Sequence, residues 1–92
     1  MKKIKTPIEV IADLFPELIT YDHLNDAIIG VGTINQQLRV VYDEPLVIEM
    51  LQDQLGLEYL EAVEYFEFNI SGMYVGENTP LFFTPIEELD HE

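Results

Sequence analysis

Two apolar patterns with helical spacing meet at Gly56, and this feature limits the possible folds more than any other part of the sequence. Asp43 is a favourable N-cap for the first pattern, which has Pro45 in its first turn and ends at Gly56. The second pattern follows at once, from about Leu57 to Ile70, and Ser71-Gly72 ends it. We therefore expect two helices that meet in a tight corner.

The apolar residues of both helices recur at the spacing of one helical face. In the first helix the predicted buried stripe consists of Val47, Met50, Leu51 and Leu55. In the second helix it consists of Tyr59, Val63, Phe66 and Ile70, with Met73 as a further member. Both stripes are expected to face a common core.

Strand patterns lie on either side of this helix pair. Ala27–Val31 is apolar and rich in β-branched residues, Gly32–Asn35 offers a turn, and Leu38–Tyr42 resumes a strand in which alternate residues share a face. Leu81–Thr84 adds a third strand, expected at an edge of the sheet because a proline stands on each side of it.

A short helix is predicted at the start of the chain, from about Pro7 to Leu14. Thr6 and Glu9 form a capping-box pattern, and proline is favourable at the first helical position. The order of elements is then α-β-β-α-α-β. We expect one α+β domain over residues 1–92, with a small antiparallel three-stranded sheet, helices packed on one face, and frayed ends at 1–5 and 86–92.

The charge of the chain is strongly negative, with 18 acidic residues against four basic ones. Three of the basic residues are Lys2, Lys3 and Lys5, so Arg39 is the only base from Thr6 onward. Such a surface repels nucleic-acid phosphates and anionic membranes and attracts basic protein surfaces. No apolar run approaches the ~20 residues of a membrane span. The expected partner is therefore a protein with a basic surface, and the expected location is the cytoplasm.

The sequence offers little chemistry for catalysis or for a cofactor. Cysteine is absent, and Asp22–Asp26 fails the calcium-loop pattern because Leu24 and Ala27 occupy positions that need a ligand and a glycine. His23 stands between two acids, but no nucleophile pattern accompanies it. We expect no catalytic residue, no metal site and no cofactor.

Glutamates recur every three residues in the second predicted helix, at Glu58, Glu61, Glu64 and Glu67. A solvated helix face explains such a row, but the helix has no Lys or Arg to form i,i+4 pairs. The other interpretation is a slanting ridge of negative charge that imitates a phosphate backbone, extended by Glu49 and Asp53 on the first helix. A halophilic origin would produce the same acidic excess.

Aromatic residues are more numerous around this helix than one buried face can accommodate. Tyr65 and Phe68 lie off the predicted stripe, and Tyr74 follows the helix. They belong either to the core or to an apolar patch in an interface, where Tyr and Phe are enriched. If the patch is an interface, it serves either a homodimer or the contact with another protein partner.

The stretches Glu61–Asn69 (EAVEYFEFN) and Tyr74–Pro80 (YVGENTP) resemble a loose group of short acidic proteins encoded by bacteriophages and other mobile elements. The similarity covers about Ala27 to Phe82, and the group has no known common activity. The resemblance implies a bacterial cytoplasm and a host-modulating or anti-defence role.

Two functional hypotheses follow from these patterns. In the first, the chain is a non-catalytic acidic inhibitor that mimics nucleic acid and blocks a host nucleic-acid-binding or defence protein. In the second, it is a homodimeric accessory protein whose acidic surface only gives solubility.

Overall fold

The first helix, α1 (Pro7–Leu14), begins at the predicted capping box in the computed structural model, which describes residues 5–89. The Thr6 side-chain oxygen accepts the Glu9 N–H at 3.4 Å, and a Glu9 carboxylate oxygen accepts the Thr6 N–H at 2.9 Å. The Ile11 side chain of this helix is buried in the core, whereas Leu14 is exposed. The expected frayed residues 1–4 and 90–92 lie outside the described range.

A 3-10 turn (Asp22–Ala27) leads into a hairpin of β1 (Ile28–Ile34) and β2 (Gln37–Asp43). The two strands pair antiparallel, as predicted. Val40 and Tyr42 on β2 are completely buried, and Leu38 packs against the same core. The expected alternation of faces along β2 is therefore confirmed.

The hairpin turn lies at Asn35-Gln36, so the prediction of a turn at Gly32–Asn35 is wrong. Both turn residues have positive φ, 52° and 68°, which gives a two-residue turn whose twist suits a hairpin. Gly32 belongs to β1 instead. A Cβ at this position would lie 3.3 Å from Cγ2 of Val41, so the absence of a side chain at Gly32 leaves room for Val41 within the sheet.

The third strand, β3 (Leu81–Phe83), lies on the edge of a sheet with the order β1-β2-β3. Its edge position is as predicted, but β3 runs parallel to β2, with Tyr42 opposite Phe82. The expectation of a fully antiparallel sheet is wrong at this pair. A parallel pair needs a long crossover, and the helices between β2 and β3 supply one.

Two helices form that crossover, α2 (Glu44–Leu55) and α3 (Tyr59–Phe66), and α3 continues into a π-helical turn (Glu67–Ser71). Asp43 caps α2 by accepting the Leu46 N–H at 3.3 Å, and Gly56 ends it in the left-handed conformation with φ 68°. Helix α3 begins at Tyr59, two residues after the predicted start at Leu57. A one-turn helix, α4 (Ile86–Leu89), forms where a frayed end was expected.

The buried core is entirely apolar within residues 5–89. It consists of Ile11, Leu18, Leu24, Ala27, Ile28, Val40, Tyr42, Val47, Ile48, Leu51, Ala62, Phe66 and Ile70. None of the helices in this range has the length and apolarity needed to span a bilayer.

The predicted stripes need correction at three positions, because Leu55, Tyr59 and Met73 are exposed. Leu55 and Tyr59 are terminal residues of their helices, beside the corner at Gly56. The π-helical turn ends at Ser71, so Met73 lies beyond the helix and helical spacing no longer places it on the face of Ile70.

An aromatic cluster joins the sheet to α3. The Tyr42 ring stacks on Phe82 with centroids 5.7 Å apart, and Phe82 meets Phe66 edge-on at 4.8 Å. Tyr21 lies 5.8 Å from Tyr42, and its backbone N–H donates to the Tyr42 hydroxyl at 2.7 Å. This contact fixes the segment before the 3-10 turn against the sheet.

Candidate protein-binding surfaces

The four glutamates of the predicted ridge all lie exposed on α3 and on the turn that continues it. Glu58 is the N-cap residue of α3, and its N–H donates to a Glu61 carboxylate oxygen at 2.9 Å. Three residues advance a helix by about 300°. Glu61 and Glu64 therefore point away from the core, whereas Glu58 and Glu67 flank this direction on opposite sides. The acids surround the exposed half of the helix rather than forming one straight row.

Glu49 and Asp53 are exposed on α2, one helical turn apart. Helix α2 packs directly against α3, so the two predicted acidic sets belong to neighbouring helices. We refer to the six residues together as the acidic surface: Glu49, Asp53, Glu58, Glu61, Glu64 and Glu67.

An open groove of about 990 Å³ lies between α2, the start of α3 and α4. Its floor includes Ile48 from α2 and Val63 from α3. Carboxylates stand on two of its sides, Glu44 and Glu49 on α2 and Glu88 on α4. Only Glu49 was predicted as a binding residue. Glu44 and Glu88 were not predicted as binding residues, because no local pattern places α2 and α4 at the same groove.

Glu44 is half-buried at the start of α2. Burial raises the pKa of its carboxyl above the ordinary value, and the nearby charge of Glu67 raises the pKa further. Both effects disfavour the ionised carboxylate when nothing balances it. A cationic side chain placed in the groove would remove this unfavourable charge interaction.

Charge compensation is almost absent within residues 5–89. The ion pair found there joins Lys5 to Asp13 on α1. Arg39 donates from Nη1 to the Thr79 carbonyl oxygen at 2.9 Å instead of meeting a carboxylate. None of the six residues of the acidic surface has an ion-pair partner in the part of the chain described.

Large apolar side chains are interleaved with the acids on α3. Leu60 on α3 is 72% exposed and Phe68 on the π-helical turn is 82% exposed, and Tyr65, between them in the sequence, is exposed as well. Tyr74, 75% exposed, follows the π-helical turn. The predicted interface residues Tyr65, Phe68 and Tyr74 are thus surface residues. An exposed face with large apolar and acidic side chains is typical of an interaction site.

His23 and its acidic neighbours lie on the 3-10 turn, where Asp22, His23 and Asp26 are exposed. The backbone carbonyl of His23 accepts a hydrogen bond from the Gln54 side chain at 2.9 Å. Across residues 5–89 no three His, Asp or Glu side chains come together as a potential metal site. The structure thus gives the turn a role in positioning α2.

Comparison of the chain with protein-family models, curated proteins and solved structures finds no match.

Proposed function

We propose that this chain is a non-catalytic acidic binding protein that docks on the basic, nucleic-acid-binding surface of a protein partner and competes there with nucleic acid. The acidic surface provides the long-range attraction, and the groove provides the specific contact. The observation that carries the proposal is the groove, because it combines an apolar floor with carboxylates on two sides.

The groove suits a Lys or Arg side chain of the partner. The alkyl part of such a side chain would lie on Ile48 and Val63, and its charged end would reach Glu44, Glu49 or Glu88. Because the raised pKa of Glu44 reflects an uncompensated charge, an incoming cation would find a carboxylate that gains from its arrival. This arrangement favours a basic partner over a neutral one.

The acidic surface would act as the substitute for nucleic acid. Glu61 and Glu64 point outward and have no ion-pair partner in residues 5–89. Glu61 also accepts the Glu58 N–H, so Glu64 is the more available of the two to a partner. A body with a formal net charge of -14 is also attracted over longer distances to basic grooves, particularly at low salt. Together with the resemblance to phage and mobile-element proteins, this leads us to propose a bacterial defence or nucleic-acid-binding protein as the partner.

A binding experiment with a charge-reversed variant tests the proposal. The tagged chain is used as bait in nuclease-treated bacterial lysate at ~0.1 M and ~0.5 M salt. Each captured protein is then purified and loaded with labelled duplex DNA or RNA. The chain is expected to displace this nucleic acid, and the E61K/E64K variant is expected to need about tenfold or more protein to do so.

The matched control is E17K/E77K, which makes the same change in net charge at exposed positions outside α2 and α3. It is expected to displace nucleic acid nearly as well as the original chain. If E61K/E64K competes undiminished, the acidic surface is not the docking site. Equal loss in both double variants would mean that net charge alone controls binding.

A second candidate function is that of a homodimeric accessory protein in which the acids serve only solubility. The exposure of Phe68 and Tyr74 favours it, since two such patches could cover each other. Replacing Phe68 by Ser would then convert a dimer to a monomer, and sedimentation would detect the change. The proposed competitor, in contrast, needs no dimer through this patch.

A further inference from the structure

Strand β1 forms an open edge of the sheet. The strand order β1-β2-β3 leaves β1 with a neighbouring strand on one side only, and α1 lies near its first residues, Ile28–Val31. It is seven residues long, and the sequence from Ala27 to Leu38 contains no charged residue and no proline. Natural edge strands are usually protected by charges or proline, because an unprotected edge pairs readily with another strand.

The hydrogen-bonding groups that face outward from this edge can be identified from the turn. In a two-residue hairpin, the flanking pair Ile34 and Gln37 exchanges hydrogen bonds, and bonded and non-bonded pairs then alternate. Thr33 and Leu38 are therefore a non-bonded pair, consistent with the Leu38 carbonyl accepting a hydrogen bond from Asn78 at 2.7 Å. By the same alternation, the backbone groups of Val31 and Thr33 point away from β2.

These outward groups have no partner in the described chain. Within residues 5–89, Ile29 to Ile34 form no loop or side-chain hydrogen bonds beyond the pairing with β2. The side chains of Ile29, Val31 and Ile34 are exposed as well. The edge thus presents both unpaired backbone groups and apolar side chains.

The edge also carries no charge of its own, because no residue from Ala27 to Leu38 is acidic or basic. Lys5, which is paired with Asp13, lies near β1, whereas Arg39 on β2 directs its guanidinium to the Thr79 carbonyl, on the side of β2 away from β1. Lys5 lines a cavity of about 340 Å³ together with Ile28–Val31, and Arg39 is the cross-strand neighbour of Gly32. Two strongly acidic copies would repel each other least if they met here.

We propose that β1 is a self-association edge, through which two copies pair antiparallel about a two-fold axis at Gly32 and form a continuous six-stranded sheet. Val31 of each copy would then exchange hydrogen bonds with Thr33 of the other. The two Gly32 residues would face each other at the closely spaced, non-bonded position of the ladder. Ile34 would lie beside Gly30 of the second copy, where no side chain competes for the space.

The irregularity of β1 limits the length of this seam. The register with β2 shifts between Ile28 and Gly30, which is a β-bulge. Bulges at sheet edges end the pairing with a further strand. The proposed seam therefore covers Gly30 to Ile34, and such a short contact gives a dimer that dissociates on dilution. This inference does not depend on the partner proposed above.

Sedimentation equilibrium of the full chain, diluted from about 1 mM at ~0.1 M and ~0.5 M NaCl, tests the seam. A monomer–dimer equilibrium is expected, with tighter association at the higher salt because the repulsion between the two acidic bodies is screened. The variant T33P lacks the outward N–H but loses no hydrogen bond to β2, and its association is expected to weaken at least about tenfold. The matched variant T33V keeps the N–H and is expected to dimerise like the original chain.

Amide hydrogen exchange of the unaltered chain provides a second measurement that does not depend on how T33P folds. The N–H groups of Val31 and Thr33 are expected to be protected at high protein concentration and to exchange rapidly after dilution. Those of Gly32 and Ile34, which face β2, are expected to be protected at both concentrations. A monomer at 1 mM in both salts, or concentration-independent exchange at Val31 and Thr33, would overturn the proposal. A dimer broken by F68S but not by T33P would instead assign the interface to the aromatic patch.

Discussion

Replacing Tyr42 by Phe should destabilise the fold through the loss of one hydroxyl group. Tyr42 is completely buried, and its hydroxyl oxygen accepts the Tyr21 backbone N–H at 2.7 Å. Phenylalanine keeps the ring packing but leaves that N–H without its acceptor. A partly buried donor without an acceptor costs about 1–3 kcal/mol. For a chain of this size, each kcal/mol lowers Tm by about 4–8 °C.

Tyr21 provides the matched control, because the same change there should cost little. Its hydroxyl oxygen is buried and has no hydrogen-bond partner within residues 5–89. Its ring lies 5.8 Å from Tyr42 and 6.3 Å from Phe82, and phenylalanine would preserve both contacts. Y21F is therefore expected to change the unfolding free energy by less than about 0.5 kcal/mol, or to increase it slightly.

Urea and thermal unfolding followed by circular dichroism compare the two variants, with equal m-values showing that the unfolding transition is the same. A pH series adds a second readout. Burial raises the pKa of Tyr42 above its ordinary value of 10.0, so the unfolded chain ionises first. The stabilisation that comes from this pKa difference is thus present below about pH 10 and is lost as the pH rises above it. Y42F has no hydroxyl to ionise, so the difference in unfolding free energy between the original chain and Y42F should shrink above pH 10. Equal deficits in Y42F and Y21F at neutral pH would refute the reasoning.

Two further predictions concern backbone conformation and charge. In urea unfolding, G56A should lower the free energy of unfolding by about 1–2 kcal/mol because Gly56 has φ 68°. G30A should raise it by up to about 1 kcal/mol because Gly30 lies in a strand with open space around a Cβ. Losses of the same size in both variants would contradict this conformational explanation. Burial, and then the charge of Glu67, raise the pKa of Glu44 above 4.5, so ionisation of Glu44 reduces stability as the pH rises through and above that value. The stability of E44Q relative to the original chain should therefore increase between pH 4 and pH 7, and a difference that stays constant over this range would exclude the proposed strain on Glu44.

The helix boundaries that local chemistry determines could be predicted from the sequence. The side chains of Thr6 and Asp43 accept backbone N–H groups three residues ahead, and Gly56 adopts the positive φ that ends α2. Each of these interactions involves residues that are close together in the chain. No knowledge of the tertiary structure is needed to anticipate them.

The errors occur where distant residues decide the conformation. Gly32 has the composition expected of a turn, but the proximity of Val41 makes it a packing position within β1. The turn falls on Asn35 and Gln36 instead, and glutamine gives little indication of positive φ. The direction of β3 depends in the same way on the path of the whole α2–α3 crossover, which no local pattern specifies.

The same distinction between local and distant contacts applies to the candidate site. Exposure of Glu61 and Glu64 follows from helical periodicity, and the structure places both on the outside of α3. The groove needs α4 to stand opposite α2, and the acidic sequence of α4 predicted a frayed end. The place of Glu88 in the groove could therefore be found only from the positions of three separate helices.

The acidity of the chain is independent of its core. Every buried residue within 5–89 is apolar, and no acidic side chain of α2 or α3 has an ion-pair partner in that range. Within residues 5–89, the hydrogen bond that Glu61 accepts from the Glu58 N–H is the contact that these carboxylates make at the start of α3, and no cation offsets their mutual repulsion. A purely solubilising surface would be expected to cover large apolar side chains or to exclude them. However, Leu60, just before Glu61 on α3, and Phe68, after Glu64 on the π-helical turn, are largely exposed. The display of apolar and acidic groups side by side therefore supports the proposed docking on a basic protein surface.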